Sequence, residues 1–294
     1  MGLCTMPHGI RDNKVLCIWT AEGIPVDMSR RRSRQMRILL IRHGDPDYVN
    51  DTITKKGHRE AALLAETAED LQLGECYVSP LGRARDTASY SLKKTGKTAE
   101  TLDWLREFPA VVDINQSEEL QRAYPNAKKI PGEEQYAPRI VWDMVPGYWM
   151  EHPEYMDQDA WRESEAAKYG DVVSVYDSVI RNFDAFLASQ GYVREGGHYR
   201  VEKETTKTVT FFCHFGISCV LMSHLWNISP FVLWHTFAML PTSVTEIVTE
   251  EREQGTAFFR GLRIGDLSHL YAGGEKPSFA VRFCEVFSDK DERH

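Results

Sequence analysis

The 294-residue chain is short of the features that define several large classes of protein. No apolar run approaches the roughly 20 residues that span a bilayer, and Val15–Trp19 is too short for a signal-peptide core. The six cysteines, at positions 4, 17, 76, 213, 219 and 284, show neither paired CxxC spacing nor a disulfide-scaffold pattern. A reducing cytoplasm is the expected location. Positive charge is in deficit: the formal net charge is −8, which argues against a broad nucleic-acid-binding face while leaving room for a local anion pocket. Internal repeats and low-complexity tracts are absent too, and 42% hydrophobic with 27% charged residues is an ordinary globular composition.

The most informative stretch is Arg37–Tyr48, RILLIRHGDPDY. Ile38, Leu39, Leu40 and Ile41 form an unbroken apolar run, as expected of a strand covered on both faces in a mostly parallel sheet. Ligands of open α/β sheets bind beyond the carboxyl ends of the strands, so Arg42 and His43 project toward a crevice, where Gly44 permits a sharp turn.

Strand and helix patterns alternate from Met36 onward. Thr54 caps a helix whose apolar positions run from Ala61 to Leu71. Glu75–Ser79 reads as a strand, and Ser79-Pro80 as the entry to a helix over Leu81–Lys93. Asp171 opens an amphipathic helix that Gly191 ends, and Thr208–Cys213 is a second buried strand followed by a helix from Gly216 to Trp226. The expected fold is a three-layer α/β/α sandwich around a mostly parallel sheet. Residues 36–288 make up this domain. Residues 1–35, with six basic against three acidic side chains, read as a flexible N-terminal extension, and 289–294 as a tail. Between about Pro109 and Gly170, six prolines and many aromatics interrupt the pattern, and a long irregular stretch of this kind is expected to be an ordered lid insertion.

Four separated segments supply polar groups at one edge of the sheet: Arg42 with His43, Arg83 in SPLGRARDTA, Glu107 in LREF, and His214 in VTFFCHFG. Taken in order with Ser79, Thr87-Ala88, Thr242-Ser243-Val244 and Gly265–Leu270, they give a chain that resembles the histidine phosphatase superfamily, also called phosphoglycerate mutase-like, over Met36 to about Phe287. The resemblance implies a metal-independent phosphatase acting on a phosphate monoester, with no cofactor. His43 attacks the phosphoryl group and becomes phosphohistidine; Arg42, Arg83 and His214 hold phosphate oxygens; Glu107 protonates the leaving oxygen and then activates water. Guanidinium forks match phosphate geometry, and imidazole is a competent nucleophile near neutral pH. The implied partner is a phosphorylated small molecule, with no nucleic acid and no membrane.

The chain departs from the family at two places. The asparagine expected six residues after the nucleophile is Val49, with Asn50 next as the phosphate-binding candidate. Phe215 stands between His214 and Gly216. The alternative of a phosphoglycerate mutase-type phosphotransferase loses ground because Phe108-Pro109-Ala110 follows Glu107 where those enzymes have Arg-x-Tyr-Gly. Three readings from other classes are a metal-dependent phosphoesterase using His43, Asp45 and Asp47, a cysteine phosphatase at Cys213, and a non-catalytic phosphate-binding scaffold on the same fold.

Overall fold

The computed structural model describes residues 35–278, the backbone of Cys17–Trp19 and Pro25–Asp27, and Val286 and Ser288. The two short N-terminal strands pair antiparallel, with Ile18 opposite Val26. The rest of the expected 1–35 extension and the 289–294 tail lie outside the described residues.

The central sheet is built from β1 (Arg37–Arg42), β2 (Glu75–Val78), β3 (Ala99–Thr101), β4 (Tyr192–Glu195), β5 (His198–Val201), β6 (Thr208–Cys213), β7 (Val244–Glu253) and β8 (Thr256–Asp266). Their order across the sheet is β4-β5-β8-β7-β1-β6-β2-β3. β1, β6, β2 and β3 are mutually parallel, whereas β7 runs against β1 and returns as β8. Followed through its ladders, among the described strands β5 and β7 alone are opposed to the others, so the sheet is mostly parallel in direction, as expected.

Among the helices of the described residues are α1 (Lys55–Glu66), α2 (Gly82–Thr95), α3 (Val172–Ser189), α4 (Phe215–Trp226), α5 (Pro230–Thr236) and α6 (Ser268–Ala272). The apolar run in β1 is explained by its two coverings. Leu39 and Ile41 pack with Leu64, Ala84 and Ala88 of α1 and α2, while Ile38 and Leu40 join Phe183, Leu187, Ile217 and Val220 of α3 and α4 on the other face. Successive side chains of a strand point to opposite faces, so only a strand between two layers needs four apolar residues in a row.

Local chemistry sets the helix ends. Thr54 caps α1 by accepting the Gly57 N–H, a contact worth about 1 kcal/mol. The helix expected to continue to Leu71 breaks at Thr67, whose hydroxyl donates to the Leu64 carbonyl at 2.8 Å and gives the backbone another partner. A separate turn, Ala68–Leu71, follows. Asp171 precedes α3 but does not cap it; its side chain accepts from Val111 N–H at 2.8 Å and ties the helix start to the insertion.

Residues 109–170 are a series of short turns rather than a structureless loop. Pro146 and Pro153 sit at the first position of turns they initiate. Tyr124, Trp142, Tyr148, Trp149, Tyr155 and Trp161 are buried. Tyr155 packs on Phe231 of α5 with ring centroids 4.7 Å apart, and Trp142 on Trp234 at 6.0 Å. The aromatics therefore anchor the segment to the sandwich.

Candidate active site

Parallel β1, β6 and β2 place Arg42-His43, His214 and Ser79 together at their carboxyl ends, because the three strands lie side by side in register: Cys213 pairs with Arg42, and Phe212 with Val78. The backbone continues the pairing past the strands, His43 N–H donating to the Cys213 carbonyl at 3.0 Å and Ser79 N–H to Phe212 at 3.0 Å. The late motif backs the nucleophile candidate from the other side, since Thr242 N–H reaches the His43 carbonyl at 3.1 Å and the Thr242 hydroxyl meets His269 at 3.0 Å.

His43 is buried, and its Nδ1 lies 2.7 Å from the Gly44 carbonyl oxygen. A carbonyl only accepts, so Nδ1 carries the proton and Nε2 keeps its lone pair. Burial, followed by the Arg42 charge, holds the ring's pKa well below the ordinary histidine value, which keeps it neutral at pH 7. Gly44 serves a close approach: a Cβ there would stand 2.9 Å from the Gly57 carbonyl oxygen of α1. Thr87 of α2 fixes the same turn by accepting Gly44 N–H at 2.9 Å.

His214 stands beside it, the ring centroids 5.1 Å apart. Burial, then its neighbour His43, pushes the pKa of His214 well down. Its Nε2 lies 2.7 Å from Ser79 Oγ, while its Nδ1 is buried without a hydrogen-bond partner among the described residues. Ser79 Oγ already accepts Leu81 N–H, and its own proton can go to His214 Nε2. That tautomer presents Nδ1–H as a donor.

The arginines are held, not loose. Arg42 donates to the Met239 carbonyl at 2.5 Å and lies over the Phe215 ring at 5.5 Å. Phe215, one of the two departures noted in the sequence, thus forms a platform for a phosphate-binding candidate. Arg83, in the first turn of α2, is 8% exposed and pairs with Asp51 at 2.8 Å.

Glu107 follows a 3₁₀ turn, Asp103–Leu105, and turns back to α4. Its Oε1 accepts both Phe108 N–H at 2.9 Å and Ile217 N–H at 3.1 Å. Burial raises its pKa, and the two N–H bonds with the charges of Arg42 and Arg83 oppose that rise. Glu100, the nearby carboxylate, is on β3 and exposed.

Arg42, His43, Arg83, Glu107 and His214 are thus brought together. Asn50 is not among the buried groups; its side-chain amide donates to Asp47 Oδ2 at 2.8 Å in an exposed turn. Three residues without a role in the sequence reading also belong to the surroundings: Ser79 on His214, Tyr48 with its ring 5.3 Å from the Arg83 guanidinium, and Asp51. Only Ser79 had a sequence signal, as part of the Ser79–Arg83 motif.

Next to this centre is a cleft of about 380 Å³ lined by residues of the insertion and of α5, among them Arg139, Trp142, Trp149 and Trp234. Trp142 and Glu107 both border Gly216, whose Cβ would lie 2.9 Å from the indole and 2.8 Å from Oε1. The cleft therefore lies on the Glu107 side.

A search of the curated proteins finds no match. Solved structures similar to this chain include a mycobacterial glucosyl-3-phosphoglycerate phosphatase in complex with VO3 (18% identity, TM-score 0.46, covering 77% of this chain and 97% of that one). A phosphoserine phosphatase from Entamoeba histolytica in complex with 3-phosphoglyceric acid is 14% identical, with TM-score 0.48 and coverage of 80% and 99%. A mycobacterial hydrolase is 20% identical, with TM-score 0.48 and coverage of 79% and 99%. The model of the histidine phosphatase superfamily, branch 1, matches residues 38–145. The matched residues include Arg42, His43, Arg83 and Glu107, so this part of the chain is similar to the histidine phosphatase superfamily.

Proposed function

We propose that the protein is a phosphatase that hydrolyses a phosphate monoester through a phosphohistidine at His43, without a metal ion. The observation that carries this reading is the neutral His43 ring, its Nδ1–H tied to the Gly44 carbonyl so that Nε2 keeps the lone pair, set against His214 with Arg42 beside it. In the first step the P–Nε2 bond forms as the P–O ester bond breaks, and the leaving oxygen takes a proton from Glu107. In the second, water attacks phosphorus, gives its proton to the Glu107 carboxylate and releases inorganic phosphate with a restored imidazole. Arg42, Arg83 and His214 Nδ1–H stabilise the charge spread over the transferring group. The raised pKa of Glu107 supports its double role, because general acid–base help is largest when the group titrates near the working pH. The buried free thiols Cys76, Cys213 and Cys219 support a reducing compartment.

Rapid quench with a ³²P-labelled ester tests the reading. An acid-labile, base-stable phosphoenzyme is expected in the wild type and absent from His43→Ala, which also loses turnover. Normal turnover by His43→Ala would overturn it.

A further inference from the structure

The hairpin after the nucleophile, Pro46–Ile53, touches both arginines. Asp51, at φ +48°, bridges two donors: Oδ1 lies 2.8 Å from Arg83 Nη1, and Oδ2 accepts Gly82 N–H at 2.7 Å. The fit is close, since a Cβ on Gly82 would stand 2.0 Å from the Asp51 carbonyl oxygen. Thr52 donates to Asp86 one turn along α2, so three hydrogen bonds fasten the hairpin to that helix. From the same hairpin the Tyr48 hydroxyl accepts from Arg42, and its ring covers the Arg83 guanidinium.

A guanidinium grips an oxyanion by one of two edges, end-on through Nη1 and Nη2 or side-on through Nε and Nη2. Asp51 occupies Nη1, which closes the end-on edge. Arg83 Nε is buried and has no hydrogen-bond partner among the described residues. A buried N–H left unmade is costly, so an oxygen supplied by a ligand at the side-on edge removes a standing penalty.

We infer that Asp51 is a positioning residue for the transferred phosphoryl group: it holds Arg83 by Nη1 and the start of α2 by Gly82 N–H, so that Arg83 meets the phosphoryl oxygens through its Nε/Nη2 edge. Tyr48 completes the arrangement by linking Arg83 to Arg42. The inference rests on the phosphoryl-transfer reading above, and it assigns the hairpin to the anion pocket although Asp51 itself touches no substrate.

The test is a double-mutant cycle on the full chain, read by calorimetric binding of orthovanadate and by turnover of an aryl phosphate. Asp51→Ala is expected to weaken vanadate binding about tenfold, the scale of one charge-assisted hydrogen bond. Asp51→Asn keeps a carbonyl oxygen that can accept one of the two bonds and should recover part of the loss. In an Arg83→Ala background the Asp51 substitutions should have little further effect, because their influence passes through Arg83. Tighter vanadate binding by Asp51→Ala would mean that the carboxylate competes with the ligand, and would overturn the inference. An undiminished Asp51 effect without Arg83 would overturn it as well. Should Asp51→Ala fail to fold, the same cycle run with Asp51→Asn decides the question. A wild type that turns over esters yet shows either contrary result refutes this inference alone, whereas a wild type that neither binds vanadate nor turns over any ester refutes the functional reading with it.

Discussion

Glu107 reaches the first turn of α4 only because residue 216 has no side chain: Oε1 accepts Ile217 N–H at 3.1 Å, and a Cβ on Gly216 would lie 2.8 Å from that same oxygen. Gly216→Ala must displace either the carboxylate or the Trp142 indole, which is 2.9 Å from the same point. The expected result is a loss of roughly 10- to 100-fold in kcat for alkyl esters, up to the lower end of general acid help, which is typically about 10²- to 10⁴-fold. A smaller loss is expected for aryl phosphates with good leaving groups. The wild-type kcat for alkyl esters should fall as pH rises through the elevated pKa of Glu107, while His43, held well below its ordinary value, should impose no loss near pH 6. Equal losses for both ester types would separate Glu107 from leaving-group protonation.

Ser79→Ala removes the oxygen 2.7 Å from His214 Nε2 and, with it, the preference for a proton on Nδ1. Turnover is expected to fall about tenfold, as for one lost transition-state donor of intermediate strength. The same oxygen also accepts Leu81 N–H, so a decrease in Tm of a few degrees should accompany it. Loss of Tm with unchanged kcat/KM would make Ser79 a helix-entry residue only.

Glu60 is buried behind the nucleophile turn, where its Oε2 accepts Asp45 N–H at 2.8 Å. Burial raises its pKa to about 7, against the pull of that N–H and of Lys56, with Asp45 and Glu275 adding to the rise. The folded state therefore binds a proton that the unfolded chain releases near pH 4.3. The stability this contributes is full below that value and is lost as pH rises to about 7. Glu60→Gln keeps an acceptor for Asp45 N–H and does not titrate, so its Tm should exceed that of the wild type at pH 8 and converge with it near pH 4. A constant difference in Tm from pH 4 to pH 8 would show that Glu60 does not titrate in this window.

Trp142 joins the insertion to the Glu107 wall and lines the neighbouring cleft. Trp142→Ala is expected to change relative kcat/KM among esters with different leaving groups by tenfold or more, while vanadate affinity changes severalfold less. Trp142→Phe should retain more of the wild-type ranking, because an aromatic wall remains. Equal effects on every ester and on vanadate would make the insertion a structural brace.

How much could be read in advance depended on how local each cause was. The apolar run Ile38–Ile41 announces a strand covered on both faces, because side-chain alternation is a property of three or four adjacent residues. The end of α3 is legible in Gly191, at positive φ. The break of α1 at Thr67 was not, since a threonine hydroxyl competing for a helix carbonyl leaves no mark in apolar spacing. Nor was the role of Phe215, read as a departure from a pattern and found under the Arg42 guanidinium.

By itself, then, the sequence determined the layered α/β class, the strand ends that bear Arg42, His43 and His214, and the order of segments that resembles the histidine phosphatases. Tertiary structure alone decided which side chains meet. Ser79 and His214 are 135 residues apart, Glu107 and Ile217 are 110 apart, and Asp51 and Arg83 are 32 apart. These contacts exist because β1, β6 and β2 lie side by side, an order the chain does not follow. Hydrogen bonds act over about 3 Å and along particular directions. Periodicity and composition place an element, but only the packed sheet brings a donor within reach of its acceptor.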